Sequence, residues 1–119
     1  MDHKDLDAWK QAMNLVEEVY KVTSGFPKQE QYGLSSQVRR AAVSVPSNLS
    51  EGAARNGSKE FHNLLGISLG SLAELETQMI IAGRLKYADV SELLALVSRV
   101  RALLIGLRRS ILKSSHQLT

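Results

Sequence analysis

Apolar residues recur every three or four positions along most of the chain, which is the spacing of helices that bury one side. The clearest stripe lies in residues 32–56 and consists of Leu34, Val38, Ala41, Val45, Leu49, Gly52 and Ala53. Pro46 falls inside this stripe, and an interior proline bends a helix and costs it about 3 kcal/mol. Because the spacing continues beyond Pro46, the pattern predicts one helix kinked at that residue. Two helices, the second capped by Ser44, are the alternative.

Three other segments have the same spacing and predict helices over about residues 5–24, 59–85 and 91–113. The connections between the four segments are only a few residues long. Short connections place consecutive helices side by side and in opposite directions. The sequence therefore predicts an all-α fold, an antiparallel up-down-up-down four-helix bundle, in which residues 1–119 form a single domain.

The third predicted helix has unusually small residues in its interior, which are Gly66, Ser68, Gly70, Ser71 and Ala73. Since glycine costs a helix about 1 kcal/mol relative to alanine, we expect another backbone to approach closely at Gly66 and Gly70. The small residues of the second helix are the expected neighbours. Ser58 is expected to cap the start of the third helix.

The composition excludes several classes of protein. The chain has 119 residues, 44% of them hydrophobic, and no cysteine, so disulfides and thiolate metal sites are excluded. No apolar run reaches the roughly 20 residues of a membrane span, and the acidic, polar N-terminus is unlike a signal peptide. We therefore expect a cytoplasmic protein without a membrane partner. The net charge of +3 and the isoelectric point of about 9.4 lean weakly towards polyanionic ligands.

Metal and nucleophilic chemistry both lack a matching set of residues. A di-iron bundle needs Glu-x-x-His pairs, but His3 and His116 lie near the termini and His62 follows Glu60 by only two positions. The serines of the second helix have no histidine in the same helix, and there is no glycine-rich phosphate-binding motif. We therefore expect no metal, no cofactor and no catalytic activity.

A carboxylate, Glu76, falls at or beside the apolar side of the third helix, where an unpaired charge is costly. Arg40 on the polar side of the second helix is the expected partner, and Glu51 competes for it. Arg40, Glu51 and Glu76 are thus predicted to form a structural ion-pair network, with Arg39 on the outward side. Two carboxylates that act as an acid and a base are the alternative.

Seven basic residues form the candidate nucleic-acid-binding surface. They lie on or just after the second helix and along the fourth: Arg39, Arg55, Lys59, Arg99, Arg101, Arg108 and Arg109. The fourth helix has no acidic residue after Glu92, which favours a surface for phosphates, whereas a solvated face that complements the acidic first helix is the alternative. Because aromatic residues are few, contacts to the phosphate backbone are expected to dominate over sequence-specific readout.

The fourth helix is apolar over more than one side. Leu96 and Leu103 are seven positions apart, on a line turned away from the main stripe. In a monomer this line would be an exposed hydrophobic ridge, which soluble proteins avoid. We therefore predict that Leu96 and Leu103 lie in the interface of a closed cyclic homo-oligomer, in which the acidic first helix of one subunit meets the basic fourth helix of the next.

Three motifs carry a resemblance to a known family: EQYGL at residues 30–34, QVRRAAVSVPSNLSEG at 37–52 and GSLAELET at 70–77. The chain resembles the bacterial four-helix bundle proteins encoded in intervening sequences of 23S rRNA genes. It is also similar to the accessory variability determinant of diversity-generating retroelements. The mild net charge favours the intervening-sequence branch.

This resemblance implies a barrel-like homopentamer with a basic surface that engages nucleic acid, and it implies no catalytic residue. Retroelement members act with a reverse transcriptase. The sequence and the resemblance together predict a non-catalytic, oligomeric nucleic-acid-binding protein whose ligand is RNA. A structural or adaptor oligomer that binds a protein partner, such as a reverse transcriptase, is the alternative.

Overall fold

A computed structural model describes the backbone of residues 2–118 and the side chains of residues 2–113. Its four α-helices are α1 (Asp7–Thr23), α2 (Leu34–Ala54), α3 (Ser58–Arg84) and α4 (Ser91–Leu118). Two short 3-10 helices, His3–Asp5 and Lys28–Glu30, precede α1 and α2. Residues 2–118 contain no strand, so the predicted all-α class is confirmed.

The four helices pack around one core. Each helix contacts the helices before and after it in the chain, and α4 also contacts α1, which closes the ring. The particle is elongated, with extents of 52 × 22 × 20 Å. Its fully buried large side chains come from all four helices and are Leu15, Val19, Val38, Val45, Leu49, Leu65, Leu72, Leu75, Met79, Val97, Val100 and Leu104. The core is therefore aliphatic, as a chain poor in aromatic residues requires.

Pro46 lies inside α2, and the helix continues through it. The alternative of two helices, the second capped by Ser44, is therefore wrong. Side-chain hydrogen bonds surround this point of the helix. Asn48 Nδ2 donates to the carbonyl oxygen of Ser44 at 2.8 Å, and Ser68 Oγ of α3 donates to the carbonyl oxygen of Val45 at 2.9 Å. The bend at Pro46 stays a prediction.

The close contact between α2 and α3 is made by small and polar residues. Ser44 Oγ lies 2.8 Å from Ser71 Oγ across the two helices. A Cβ placed on Gly52 would lie 2.9 Å from Phe61 Cδ1 and 3.2 Å from Leu64 Cβ. Gly52 is therefore the glycine that lets α2 approach α3.

The expectation that Gly66 and Gly70 lie against α2 is wrong. A Cβ on Gly70 would meet nothing within 4 Å, and a Cβ on Gly66 would meet only Arg108 Nη2 at 3.9 Å. Both glycines lie on the side of α3 that faces away from α2, because Ser68 and Ser71 are the residues that face α2. The predicted cap is also wrong: Ser58 is the first helical residue, and Gly57 precedes it with φ +142°, a conformation that favours glycine.

Leu96 and Leu103 do not form an exposed ridge, which corrects the premise of the predicted interface. Both are half-buried and pack against the core, because the broad apolar side of α4 is shared between α1 and α3. Their role in an oligomer stays a prediction. Four of the exposed large apolar residues lie on or directly after α3, and these are Ile67, Ile80, Ile81 and Leu85.

By length and composition alone, α3 is long and apolar enough to cross a membrane, with a mean hydropathy of 1.3 over an 18-residue window. A helix that lines the core of a bundle passes the same test. The inner side of α3 contributes Leu65, Leu72, Leu75 and Met79 to this core, so its hydropathy is accounted for in part by packing within the bundle.

We predict opposite effects for alanine at two glycines. Gly52→Ala lowers the free energy of unfolding by about 1–3 kcal/mol, because the added methyl group overpacks the contact with Phe61 and Leu64. Gly106→Ala raises it by up to about 1 kcal/mol, because a Cβ there meets nothing within 4 Å and alanine is the better helix former. Urea titration of both variants measures this difference, and equal effects would contradict the packing described.

Candidate nucleic-acid interface

Three of the seven predicted basic residues come together where the start of α3 lies beside the second half of α4. Two adjoining hollows of about 290 and 320 Å³ share the side chains of His62 and Leu112. Lys59 lines one hollow, and Arg108 and Arg109 line the other. No carboxylate is among the described side chains that line either hollow. We name Lys59, His62, Arg108 and Arg109 the α3/α4 basic patch.

His62 orients Arg108 within this patch. Arg108 Nε donates to His62 Nε2 at 2.9 Å, and both side chains are half-buried. The Nε2 atom of His62 is the acceptor, because a guanidinium group can only donate. The hydrogen bond uses one Arg108 donor and leaves its terminal amino groups for another acceptor. His62 is a residue of this patch that the sequence analysis missed.

Arg55 is occupied by an acidic neighbour. Its Nη2 lies 2.6 Å from Glu51 Oε1, one helical turn away. The hydrogen bond and charge of Glu51, together with the charge of Glu60, raise the pKa of Arg55. The predicted pairing of Glu51 with Arg40 is thus wrong. Arg55 was predicted to bind phosphate, but its charge is balanced by Glu51 and Glu60.

The predicted ion-pair network around Arg40 is absent from the described part of the chain. Glu76 Oε1 lies 3.0 Å from Arg101 Nη2, and each side chain is about one-third exposed. Arg40 is exposed and makes no ion pair with any described side chain. The physical reason is the rotation of α3, which turns Glu76 towards α4 and away from α2. Arg101 therefore has a structural role, although it was predicted to bind nucleic acid.

Arg39 lies inward of Arg40, the reverse of the prediction. The Arg39 guanidinium carbon is 4.5 Å from the centroid of the Tyr20 ring, and Arg39 Nε donates to Thr23 Oγ1 at 2.8 Å. Tyr20 and Thr23 lie at the end of α1, so these contacts connect α1 to α2. A cation at this distance from a ring face is attracted to it electrostatically, which favours contact between Arg39 and Tyr20.

Arg99 lies in an acidic environment. It lines a surface hollow of about 620 Å³ together with Glu18, Asp89 and Glu92. Hydrogen bonds from the backbone and hydroxyl of Ser91 lower the pKa of Asp89, which keeps this carboxylate charged. The three carboxylates that line the same hollow oppose phosphate binding at Arg99. Of the seven predicted residues, Lys59, Arg108 and Arg109 thus form one patch, and the other four lie elsewhere with other partners or neighbours.

The EQYGL segment at residues 30–34 has a structural role that the sequence did not reveal. Glu30 Oε1 accepts from the backbone N–H of Leu34 at 3.2 Å, and Glu30 Oε2 accepts from the Tyr87 hydroxyl at 2.8 Å. One carboxylate therefore caps α2 and holds the α3–α4 connection. A Cβ on Gly33 would lie 2.8 Å from Glu30 Oε1, so a larger residue there would displace the carboxylate from this position.

The family model of the 23S rRNA-intervening sequence protein matches residues 4–106. The chain belongs to this family. The family match agrees with the resemblance of the motifs at 30–34, 37–52 and 70–77. A search of curated proteins found no match.

A solved structure has the same fold. It is the 1.70 Å crystal structure of a protein of unknown function from the S23 ribosomal protein family of Bacteroides thetaiotaomicron VPI-5482. The TM-score is 0.81 with 18% sequence identity, over 92% of this chain and 99% of that chain. At 18% identity, this likeness shows that the two chains share the helical bundle fold and nothing more.

We predict that Glu76 is coupled to Arg101 and not to Arg40. A double-mutant cycle with Glu76→Ala and Arg101→Ala gives a coupling free energy of about 0.5–1 kcal/mol, the range for a partly exposed ion pair. The matched cycle with Arg40→Ala gives a coupling of about zero. Both cycles are measured by urea unfolding. Coupling to Arg40 as large as that to Arg101 would contradict the observed pairing.

We predict that the Tyr87–Glu30 hydrogen bond stabilises the fold only while Tyr87 is protonated. This hydrogen bond, with burial and the Glu30 charge, raises the pKa of Tyr87 above its ordinary value of 10.0. A raised pKa in the folded state means that the stabilisation is complete below about pH 10 and is lost as the pH rises through the folded-state pKa. Urea titrations of the wild type and of Tyr87→Phe should therefore converge above that pKa. A constant difference between them at every pH would contradict this, and Tyr32→Phe is the matched control.

Proposed function

We propose that this 23S rRNA-intervening sequence protein is a non-catalytic, homo-oligomeric protein of the cytoplasm that binds RNA. The α3/α4 basic patch is the observation that carries this proposal. In this proposal the four helices of the chain run up, down, up and down. The contacts of Gly52 with Phe61 and of Arg108 with His62 support opposite directions for α2 and α3 and for α3 and α4. In this proposal α2 also bends at Pro46.

The chemistry of the patch suits a phosphate backbone. Lys59 and Arg109 are exposed cations, and Arg108 keeps free donors after its bond to His62. A guanidinium recognises phosphate through parallel N–H donors, and an ammonium does so as a point charge. Binding through these groups is independent of base sequence and depends strongly on salt. Several copies of the patch on one oligomer would add avidity along one RNA molecule.

The oligomer in this proposal buries the outward face of α3. Ile67 and Ile81 are exposed by 52% and 42% and lie on one side of α3, about four turns apart. Ile80 and Leu85 are exposed close to Ile81, where α3 ends. Exposed large apolar side chains favour burial in an association surface, and a closed ring covers the same face on every copy. The number five rests on the family resemblance alone. Leu96 and Leu103 contribute only through the part of each side chain that the core leaves uncovered.

The same α3 face supports a second candidate function. An adaptor oligomer would use this apolar face, or a surface next to it, to bind a protein partner such as a reverse transcriptase without contacting nucleic acid. The two functions differ in what the basic patch does. Only the RNA-binding function requires Lys59 and Arg109.

We predict that removing two patch charges reduces the salt dependence of RNA binding. For Lys59→Ala/Arg109→Ala, the slope of log affinity against log salt falls by about 1.4–1.8 per bound subunit, the value for two lost phosphate contacts. The control Lys10→Ala/Lys28→Ala removes the same charge from exposed positions on α1 and before α2 and leaves the slope unchanged. A fragment of 23S rRNA and an unrelated RNA are titrated by fluorescence anisotropy. Equal slopes for both double variants would reject the patch, and no RNA binding by the wild type would favour the adaptor.

We predict that the wild type sediments as a closed oligomer at micromolar concentration. Ile67→Glu/Ile81→Glu should sediment as a folded monomer of 13.1 kDa, because two carboxylates on the α3 face repel the neighbouring subunit. Met13→Glu places a carboxylate at an exposed apolar position of α1 and is the control, which should leave the oligomer intact. A wild-type monomer would contradict the proposal. Circular dichroism of each variant establishes that it has kept its helices.

A further inference from the structure

A second surface lies where α1 ends and α2 begins, away from the α3/α4 basic patch. It is a groove of about 690 Å³, and its lining includes Tyr20, Gln31, Tyr32, Ser36, Arg39 and Arg40. No carboxylate is among the described side chains that line it. We name it the tyrosine–arginine groove. It combines two aromatic rings with two guanidinium groups in a chain that has only six aromatic Phe, Trp and Tyr residues.

Tyr32 is the most exposed large apolar residue in the described chain, at 92%. It lies in a turn that is fixed on both sides. The N–H of Gly33 donates to the carbonyl oxygen of Glu30 at 3.0 Å, and the Glu30 carboxylate holds Leu34 and Tyr87. The ring therefore projects into solvent from an ordered position, and no packing within the described chain accounts for it.

The other side of the groove is also held in place. Arg39 stacks on Tyr20 and is bonded to Thr23 Oγ1, while Tyr20 keeps 43% of its surface exposed. Arg40 is exposed and has no ion-pair partner among the described side chains. It also lines a neighbouring hollow with Glu74, which is hydrogen-bonded to Gln78. The groove thus offers two tyrosine rings, one of them in contact with Arg39, beside one cation that is available to a phosphate.

We propose that the tyrosine–arginine groove binds an unpaired nucleotide segment, with a base stacked on Tyr32 and the adjacent phosphate paired with Arg40. This inference rests on the proposed RNA-binding function and names the form of RNA that is preferred. Paired bases keep their faces inside the duplex, so only a single strand can stack on an exposed tyrosine. The side chains of Gln31 and Ser36 provide donors and acceptors at the edges of such a base.

Two other occupants are less well matched by these residues. An acidic peptide would use the arginines and would leave the fully displayed ring of Tyr32 without a function. A second copy of the chain would bury the groove in the oligomer, and substitutions there would change the oligomeric state. The test below therefore measures single-strand preference, salt dependence and oligomeric state on the same variants.

The test compares an unstructured oligo-uridine of about 10 nucleotides with an RNA duplex of the same length, using the full-length protein. Tyr32→Ala should weaken single-strand binding by about tenfold and leave duplex binding and the salt slope unchanged, because stacking releases no counterions. Tyr32→Phe keeps the π-face and should bind as the wild type does. Arg40→Ala should reduce the salt slope for the single strand by about 0.7, the value for one phosphate.

Several results would overturn the groove. One is an equal effect of Tyr32→Ala on both RNAs, or no effect on either. Another is a changed sedimentation coefficient for Tyr32→Ala or Arg40→Ala, which would make the groove a subunit contact. A third is displacement of the single strand by a poly-glutamate peptide to the same extent from the wild type and from Tyr32→Ala. The groove would then be a general anion site and not a site for a stacked base. If the wild type binds no RNA, the proposed function itself fails. If the wild type binds RNA and Tyr32→Ala binds it equally well, only the groove proposal is rejected.

Discussion

The close contact between α2 and α3 determines how the rest of the molecule is arranged. Gly52 lets Phe61 and Leu64 approach, and the serine hydroxyls of Ser44, Ser68 and Ser71 bond across the two helices. These contacts fix the rotation of each helix about its own axis. Because Ser68 is fully buried, rotating either helix would leave its hydroxyl group without a hydrogen-bond partner in the core. This rotation also determines which side chains of α2 and α3 face α1, α4 or the solvent.

The charges follow from this rotation. Glu76 turns towards α4 and meets Arg101, while Arg39 turns towards α1 and stacks on Tyr20. Arg40 is left exposed as a result. The residues of the α3/α4 basic patch lie at the start of α3 and in the second half of α4. No carboxylate is among the described side chains that line its two hollows. A chain with a net charge of only +3 thus has a concentrated positive surface at one place.

Sequence periodicity predicted the helices and the continuation of α2 through Pro46, because burying a stripe at helical spacing is a local requirement. It did not predict which neighbour each flanking residue meets. Helical spacing shows on which side of α2 Arg39 and Arg40 lie. It does not show that α1 packs beside Arg39, because the positions of neighbouring helices depend on the packing of the whole bundle. The same limit applies to Gly66 and Gly70, whose small size suggested a contact that Gly52 makes instead. His62 and Glu30 were missed because their partners are 46 and 57 positions away in the chain.

Chemical footprinting tests the central claim, that RNA binds the α3/α4 basic patch, most directly. An arginine-selective dicarbonyl reagent is applied with and without RNA, and mass spectrometry gives the modification rate at each arginine. The account predicts that RNA slows modification of Arg109, which is exposed in the patch, and leaves Arg99 unchanged, which is exposed on the same helix beside acidic residues. Equal protection of Arg99 and Arg109, or protection of Arg99 alone, would contradict it.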